Sequence, residues 1–325
     1  MPALPQRSST TSPTSTGNLR QSSGTSSTPT EQEATTNPPG SIVDAHFHVW
    51  DPAKRRHDWL DAAPPELRRR FDIDEYAATA TVCGVGAAVL VQALDTTEET
   101  QDLIDAARTS PLVAGVVGWV DLSAADVADA VAAWCHGPGG DVLVGARHLV
   151  QGEPNPRWLE RPEVICGLKA LAAAGLTYDL LVRPRELPSA LVAVDAVGTG
   201  RFVLDHGAKP EIAAGTTEPW WSLVGELARR PHVTCKLSGL VNEAGRPWKA
   251  TDLGPYVDRL VEVFGPERLM FGSDWPVCTA VASYAEVVDL ASSLLAERLG
   301  AAEAAMVMTT NAVKTYGLGR PGVLS

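Results

Sequence analysis

The chain is short of basic residues, and it lacks paired cysteines, long apolar runs and a leader-like N-terminus. Its 27 Lys and Arg stand against 39 Asp and Glu, which gives a formal net charge of −12. Phosphate backbones require clustered Lys and Arg, so this balance argues against a nucleic-acid partner. No stretch approaches the ~20 apolar residues that cross a membrane, and the charged-then-apolar order of a secretory signal is absent. We therefore expect a cytoplasmic protein that binds a small molecule rather than nucleic acid or membrane.

The five cysteines are widely scattered and never form a C-x-x-C pair. Such a set is neither a disulfide framework nor a zinc knuckle. We interpret the cysteines as reduced thiols, which are commonly buried in proteins of this kind.

The first 40 residues differ in composition from everything that follows. Seventeen of them are Ser or Thr, and only five side chains are clearly apolar. A segment with so little apolar surface cannot offset its ordering entropy, so we predict a disordered extension over residues 1–40. A regulatory or targeting tail is the functional alternative.

From residue 41 to residue 325, short apolar runs alternate with Ala- and Leu-rich helical stretches. Eight runs rich in β-branched residues predict strands, at 42–47, 87–93, 113–120, 143–150, 176–182, 201–207, 233–239 and 268–273. Six stretches between them predict helices, at 103–108, 124–134, 163–174, 187–197, 220–229 and 253–264. Eight strand–helix units are typical of a (β/α)8 TIM barrel. A doubly wound open sheet is the alternative, but the chain has no Gly-rich dinucleotide fingerprint.

The first predicted strand ends in two histidines. Because strand residues alternate faces, His46 and His48 are expected to point into the barrel while Ala45 and Phe47 face the helices. A single buried histidine is usually a packed core residue. Two on one face at the carboxyl end of a strand favour a metal or substrate site, since barrel chemistry sits at that end.

Two further strands end in residues that suit the same site. Strand six ends with His206, and strand eight ends with Asp274. Strands eight and one are neighbours in a closed barrel, so Asp274 is expected close to His46 and His48. A carboxylate there can act as a general base toward water.

Strands four and seven carry cationic side chains. Lys236 shares a strand face with Thr234 and Ser238, and a lysine inside a barrel needs a partner or a substrate. Arg147 and His148 are adjacent on a strand, so one of them must face inward. We expect this to be Arg147, which could bind an oxygen of the substrate or stabilise charge that develops on it. A salt bridge across the barrel wall is an equal alternative for either residue.

Four tryptophans lie near predicted strand ends, and their rings could stack on a sugar. They are Trp50, Trp119, Trp158 and Trp275. Core packing is the alternative for most of them, and Trp119 is the one that we expect to bind substrate.

Blocks spread over residues 42–276 resemble the amidohydrolase superfamily, and specifically its branch of sugar lactonases and related lactone hydrolases. They are Val43–Pro52, His57–Leu60, Gly145–Gln151 with Glu153–Pro154, Tyr178–Leu181, Phe202–His206 with Lys209–Pro210, Lys236–Leu240 and Arg268–Pro276. The resemblance implies a water that attacks an ester-like carbonyl. Asp274 would activate that water, and His46, His48 and His206 would bind a metal or polarise the carbonyl. Arg147, His148, Lys236, Trp119 and Tyr178 are the expected substrate-binding residues.

Two departures from the metal-dependent members of the superfamily argue against a binuclear centre. No lysine stands at the end of strand four or five, so a carbamylated-lysine bridge is excluded, and no histidine lies in Leu176–Val182. A single zinc held by His46, His48, His206 and Asp274 is one expectation. A metal-free site in which the histidines donate hydrogen bonds is the other.

Hydrolysis of an aldonolactone is therefore the predicted activity. The first alternative is a non-oxidative decarboxylase, because a sister branch of the superfamily removes carboxylates from aromatic acids. The second is a barrel that binds a ligand without turning it over, although a binding site has no need of a base beside three histidines.

Overall fold

The structure is a computed structural model that describes residues 41–319, so the extension predicted at 1–40 lies outside the described residues. Eight strands run β1 Ile42–Phe47, β2 Val85–Val91, β3 Val113–Gly118, β4 Leu143–His148, β5 Thr177–Leu180, β6 Arg201–Leu204, β7 Val233–Leu237 and β8 Leu269–Phe271. Each pairs in parallel with the next in the order β1 to β8.

Eleven helices in the described range surround the sheet. They are α1 Ile73–Ala80, α2 Thr97–Ala107, α3 Val127–His136, α4 Pro162–Ala173, α5 Leu187–Val197, α6 Trp220–Ala228, α7 Leu240–Ala244, α8 Ala250–Phe264, α9 Tyr284–Ala296, α10 Ala301–Met308 and α11 Thr310–Tyr316. None of the helices described is long and apolar enough to span a bilayer.

The last strand returns to the first and nearly closes the sheet into a barrel. Phe47 pairs with Trp275 in a parallel bridge beyond the end of β8. The backbone N–H of His48 donates to the Trp275 carbonyl at 2.7 Å, and that of Asp274 donates to the His46 carbonyl at 2.8 Å. The predicted (β/α)8 barrel is confirmed, and the same hydrogen bonds bring Asp274 beside the two histidines.

Asp44 stabilises the junction between β1 and β8, where the barrel closes. Its Oδ1 accepts from the backbone N–H of Ser273 at 2.8 Å and of His46 at 3.1 Å. Its Oδ2 accepts from the hydroxyls of Tyr76 and Tyr284, each at 2.9 Å. Burial raises the pKa of the Asp44 carboxyl, whereas these four donors stabilise its charged form.

Inward-facing residues of the barrel form a small apolar cluster of their own, and β1 contributes to it unexpectedly. Phe47 faces the helices as predicted and stacks on Tyr76 at 3.7 Å between ring centroids. Ala45 instead packs in the inner cluster with Val43 and Met270. The prediction for Ala45 was wrong because the register of β1 shifts between Asp44 and Phe47, which interrupts strict alternation.

Most predicted strands run too far at their carboxyl ends. Strand six was predicted to reach Gly207 but ends at Leu204, and strand seven ends at Leu237 rather than residue 239. The chain then turns through left-handed backbone at His206 (φ 53°) and Gly239 (φ 64°). An apolar pattern reports burial and continues smoothly across such turns, so it does not mark where strand geometry stops.

The C-terminal helix α11 reaches the inside of the barrel. Tyr316 packs with the inward-facing cluster, and its hydroxyl donates to Asp179 Oδ2 at 2.7 Å. The last described helix therefore supports a carboxylate that lies inside the barrel.

Candidate active site

Three imidazoles surround one oxygen of Asp274 at the carboxyl ends of β1, β6 and β8. Asp274 Oδ1 lies 3.5 Å from His48 Nε2, 3.8 Å from His46 Nε2 and 3.9 Å from His206 Nε2. The second oxygen, Oδ2, accepts from Asn242 Nδ2 at 3.0 Å. All three histidines and Asp274 are buried. The four residues predicted from three different strands therefore converge on one point.

Hydrogen bonds on the far side of two rings set how they face this point. His48 Nδ1 lies 2.8 Å from the Val91 carbonyl, which can only accept, so His48 carries its proton on Nδ1. In the neutral ring, Nε2 then presents a lone pair to the site. His206 Nδ1 lies 2.8 Å from Ser238 Oγ, which holds that ring in place; because a hydroxyl can donate or accept, this contact suits a proton on either nitrogen of His206.

Burial lowers the pKa of two of the imidazoles, whereas the surrounding imidazoles lower the pKa of Asp274. Burial lowers the pKa of His206 to about 4. Burial, followed by the charge of Lys236, also lowers the pKa of His46 well below its usual value. Burial alone would raise the pKa of Asp274, but His206, His48 and His46 outweigh it and hold that pKa below its usual range. A carboxylate whose pKa is held this low is ionised at neutral pH, and that is the state that a general base requires.

A network of buried charges lies behind His46. Lys236 Nζ donates to Asp179 Oδ2 at 2.6 Å and pairs with Asp205 Oδ1 at 3.0 Å. It also lies 3.1 Å from His46 Nδ1. Burial tends to raise the pKa of Asp205, but Lys236 and His46 hold it well below its usual value. Lys236 therefore meets protein partners inside the barrel and supports His46 from behind.

Arg147 forms part of the same network. Its Nη1 donates to Asp205 Oδ2 at 3.0 Å and lies 3.2 Å from His46 Nε2. Its Nε and Nη2 donate to Gln92 Oε1 at 3.2 and 3.0 Å, and Nη2 also donates to the Gln92 carbonyl. A guanidinium has five N–H groups, and four of them donate to Asp205 and Gln92 while the fifth faces His46 Nε2. Arg147 is thus held by the protein, although it still forms part of the cavity wall.

A cavity of about 230 Å³ opens beside His48, His206 and Asp274. Its wall includes His48, His206 and Asp274 together with Arg147, Trp59 and Lys209. Pockets for drug-sized ligands span roughly 300–1,000 Å³, so this one suits a small ligand.

Of the five predicted substrate-binding residues, only Arg147 lines this cavity. Trp119 Nε1 donates to His148 Nδ1 at 3.0 Å, and the His148 ring stacks on Trp158 at 4.0 Å between centroids. Tyr178 lies on the helix-facing side of β5, packed against Phe202. His148, Trp119 and Tyr178 therefore lie behind the wall, as does Lys236.

Several polar groups at the site escaped the sequence reasoning. Asn242 holds Asp274, Asp205 joins Lys236 to Arg147, and Lys209 and Gln151 line the cavity. Lys209 follows the strand-end His206 by three residues and stands in one of the blocks that resemble the lactonases, but no role could be assigned to it from the sequence. Asn242 lies on the short helix α7, in a stretch without a recognisable pattern.

Gly239 leaves the space that His206 and Asp274 occupy. It has φ +64°, and a Cβ on it would lie 2.7 Å from His206 Nδ1 and 3.1 Å from Asp274 Oδ2. Only glycine combines this backbone with so close an approach.

A larger cavity of about 420 Å³ lies elsewhere, beside α2, with His57, Arg55 and Asp102 in its wall. Within residues 41–319, the one group of three or more side chains able to hold a metal is His46, His206 and Asp274, whose ligand atoms lie within 4.8 Å of one another. We therefore place the chemistry in the smaller cavity.

Buried imidazoles and a carboxylate at the carboxyl end of a TIM barrel define a hydrolase-type site. Residues 43–318 match the family model described as amidohydrolase. The chain belongs to the amidohydrolase family and is a hydrolase, which confirms the resemblance drawn from the sequence.

Two L-fucono-1,5-lactonases are similar in sequence to most of this chain. An L-fucono-1,5-lactonase of Burkholderia multivorans is 36% identical over 290 residues, which are 86% of this chain and 97% of the relative. An L-fucono-1,5-lactonase of Burkholderia ambifaria is 38% identical over 235 residues, 72% of this chain and 80% of the relative.

A solved structure extends the similarity to the backbone. An amidohydrolase from Burkholderia multivorans with bound zinc superposes with a TM-score of 0.81 at 36% identity, and the match covers 86% of this chain and 100% of that one. The zinc is a property of that protein.

Proposed function

We propose that this protein hydrolyses the ester bond of an aldonolactone, with Asp274 as the general base. The observation that carries the proposal is the Asp274 carboxylate, which is buried among three imidazoles and lines a small cavity. The similarity to L-fucono-1,5-lactonases supports a sugar lactone as the substrate.

The reaction needs one proton to be moved and one carbonyl to be polarised. Asp274 takes a proton from water, and the resulting hydroxide attacks the lactone carbonyl carbon. The ring C–O bond then breaks, and the departing alkoxide takes up the proton that Asp274 removed from water, so that a hydroxy acid is released and Asp274 is ionised again. The network of Lys236, Asp205 and Arg147 keeps His46 in place while charge develops on the carbonyl oxygen.

The donor set fits a single metal ion. Ligand atoms of His46, His206 and Asp274 lie within 4.8 Å of one another, and His48 Nε2 lies 3.5 Å from Asp274 Oδ1 as a possible fourth ligand. A bound zinc would lower the pKa of a water to about 7 and polarise the carbonyl. In a metal-free site, His46 and His206 would donate hydrogen bonds to the carbonyl oxygen instead.

The test is acid release from a panel of 1,4- and 1,5-aldonolactones, followed with a pH indicator, with and without a chelator. Metal content is measured on the same samples before and after chelation. We expect Asp274→Asn to lower kcat by about 10²- to 10⁴-fold, the usual contribution of a general base. Asp129→Asn, on the exposed face of α3, is the control and should retain activity.

Normal turnover by Asp274→Asn would exclude Asp274 as the general base. Carbon dioxide release from aromatic acids, without acid release from any lactone, would instead favour the decarboxylase alternative.

A further inference from the structure

Lys209 presents an ammonium group to the cavity without a hydrogen-bonding partner among the described residues. It follows His206 in a left-handed stretch, with φ 49° at Lys209 itself. Its nearest carboxylate oxygen, Glu243 Oε1, lies 4.0 Å from Nζ, and the side chain is only 17% exposed. A largely buried ammonium that makes no hydrogen bond has lost water contacts that a ligand oxygen can replace.

Gln151 contributes a second polar atom to the same cavity. Its backbone N–H donates to the Leu181 carbonyl, which fixes the loop after β4. Its side-chain Oε1 is buried and has no hydrogen-bond partner. Lys209 and Gln151 line one cavity with Asp274, so a bound molecule can meet a donor and an acceptor away from the reacting carbonyl.

The other charges around the cavity select against an anionic ligand. Four of the five N–H groups of Arg147 donate to Asp205 and Gln92, the fifth faces His46, and Lys236 is enclosed between Asp179 and Asp205. The cavity also holds the Asp274 carboxylate. A substrate carboxylate would therefore face that negative charge with Lys209 as its one uncommitted cation.

We infer that Lys209 and Gln151 determine specificity by binding hydroxyl groups of a neutral, polyhydroxylated lactone. Lys209 donates to one hydroxyl oxygen, and a substrate hydroxyl donates to Gln151 Oε1. The inference rests on the proposed lactone hydrolysis and deepens it by assigning the residues that recognise the hydroxyl groups of the substrate. It predicts that the protein discriminates against unsubstituted lactones and against lactones that carry a carboxylate, because neither satisfies both groups.

The test compares Lys209→Met and Gln151→Leu with the wild-type enzyme on three substrates: an aldono-1,5-lactone, unsubstituted δ-valerolactone and a carboxylate-bearing lactone. Each variant should lower kcat/KM on the aldonolactone by about 10- to 100-fold, mainly through KM. The loss on δ-valerolactone should be at least about tenfold smaller, because that ring has no hydroxyl to bind. Lys169→Met, on the exposed side of α4, controls for removal of a positive charge, and thermal unfolding checks that each variant folds.

The outcomes separate the two proposals. A wild-type enzyme that hydrolyses no lactone overturns the proposed function and this inference with it. A wild-type enzyme that prefers the carboxylate-bearing lactone overturns the inference alone. Unchanged variants, or equal losses on the aldonolactone and on δ-valerolactone, overturn it as well, since the two side chains would then not be recognising hydroxyls.

Discussion

Replacing Gly239 with alanine tests whether the position of His206 and Asp274 sets the rate. The new Cβ would lie 2.7 Å from His206 Nδ1 and 3.0 Å from its Cγ. Favourable non-bonded separations are about 3.5–4.0 Å, so the ring must move by roughly 0.5–1 Å or the backbone must shift. Either movement also disturbs the 2.8 Å contact between His206 and Ser238.

Two effects of this substitution can be separated by magnitude. Alanine in the left-handed region costs about 1–2 kcal/mol wherever it occurs. A misplacement of about 1 Å at a reacting group can cost about 10²-fold in rate. We therefore expect Gly239→Ala to lose about 1–2 kcal/mol of unfolding free energy or more, and about 10- to 100-fold in kcat/KM.

Gly175→Ala is the matched control. Gly175 also has positive φ, at +75°, but nothing lies within 4 Å of a Cβ there, and it precedes β5 at the opposite end of the barrel. Urea unfolding and aldonolactone hydrolysis are measured on both variants. Similar stability losses with a rate defect in Gly239→Ala alone are expected. Wild-type kcat/KM in Gly239→Ala would refute the argument that this contact positions the site.

Two further predictions concern stability, and urea unfolding measures both. Asp44→Asn should lower the unfolding free energy by about 3 kcal/mol or more, since charged buried hydrogen bonds contribute about 1.5–3 kcal/mol each and an amide cannot accept from all four donors. Tyr76→Phe removes one donor and should lower the unfolding free energy far less. Equal losses in the two variants would contradict the role given to Asp44 at the junction of β1 and β8. Lys236→Met should cost about 3–5 kcal/mol because it leaves buried carboxylates unpaired. Adding Asp179→Asn should recover part of that loss, and a double variant as unstable as the sum of the two singles would contradict the pairing.

The strand-end residues could be predicted because a parallel barrel brings every strand's carboxyl end to one face. His46, His48, His206 and Asp274 were located by that rule, and the structure brings them together. The rule depends only on strand order and alternation, which local apolar patterns record.

The substrate-facing residues could not be predicted in the same way. Arg147 and His148 are adjacent on β4, yet Arg147 lines the cavity while His148 stacks on Trp158 behind it. Lys209 and Gln151 lie on loops, whose paths depend on contacts with other loops rather than on a repeating pattern.

The sequence by itself determined the barrel, its carboxyl-end site and the residue types available there, because periodic burial and strand order are local properties. The tertiary structure decided the partners of each charge. Lys236 meets Asp179 from β5 and lies beside the ring of Tyr316 from α11, and Asp44 meets tyrosines from α1 and α9. These contacts join segments up to 240 residues apart. Only closure of the barrel brings such segments within hydrogen-bonding distance, and no local pattern encodes that distance.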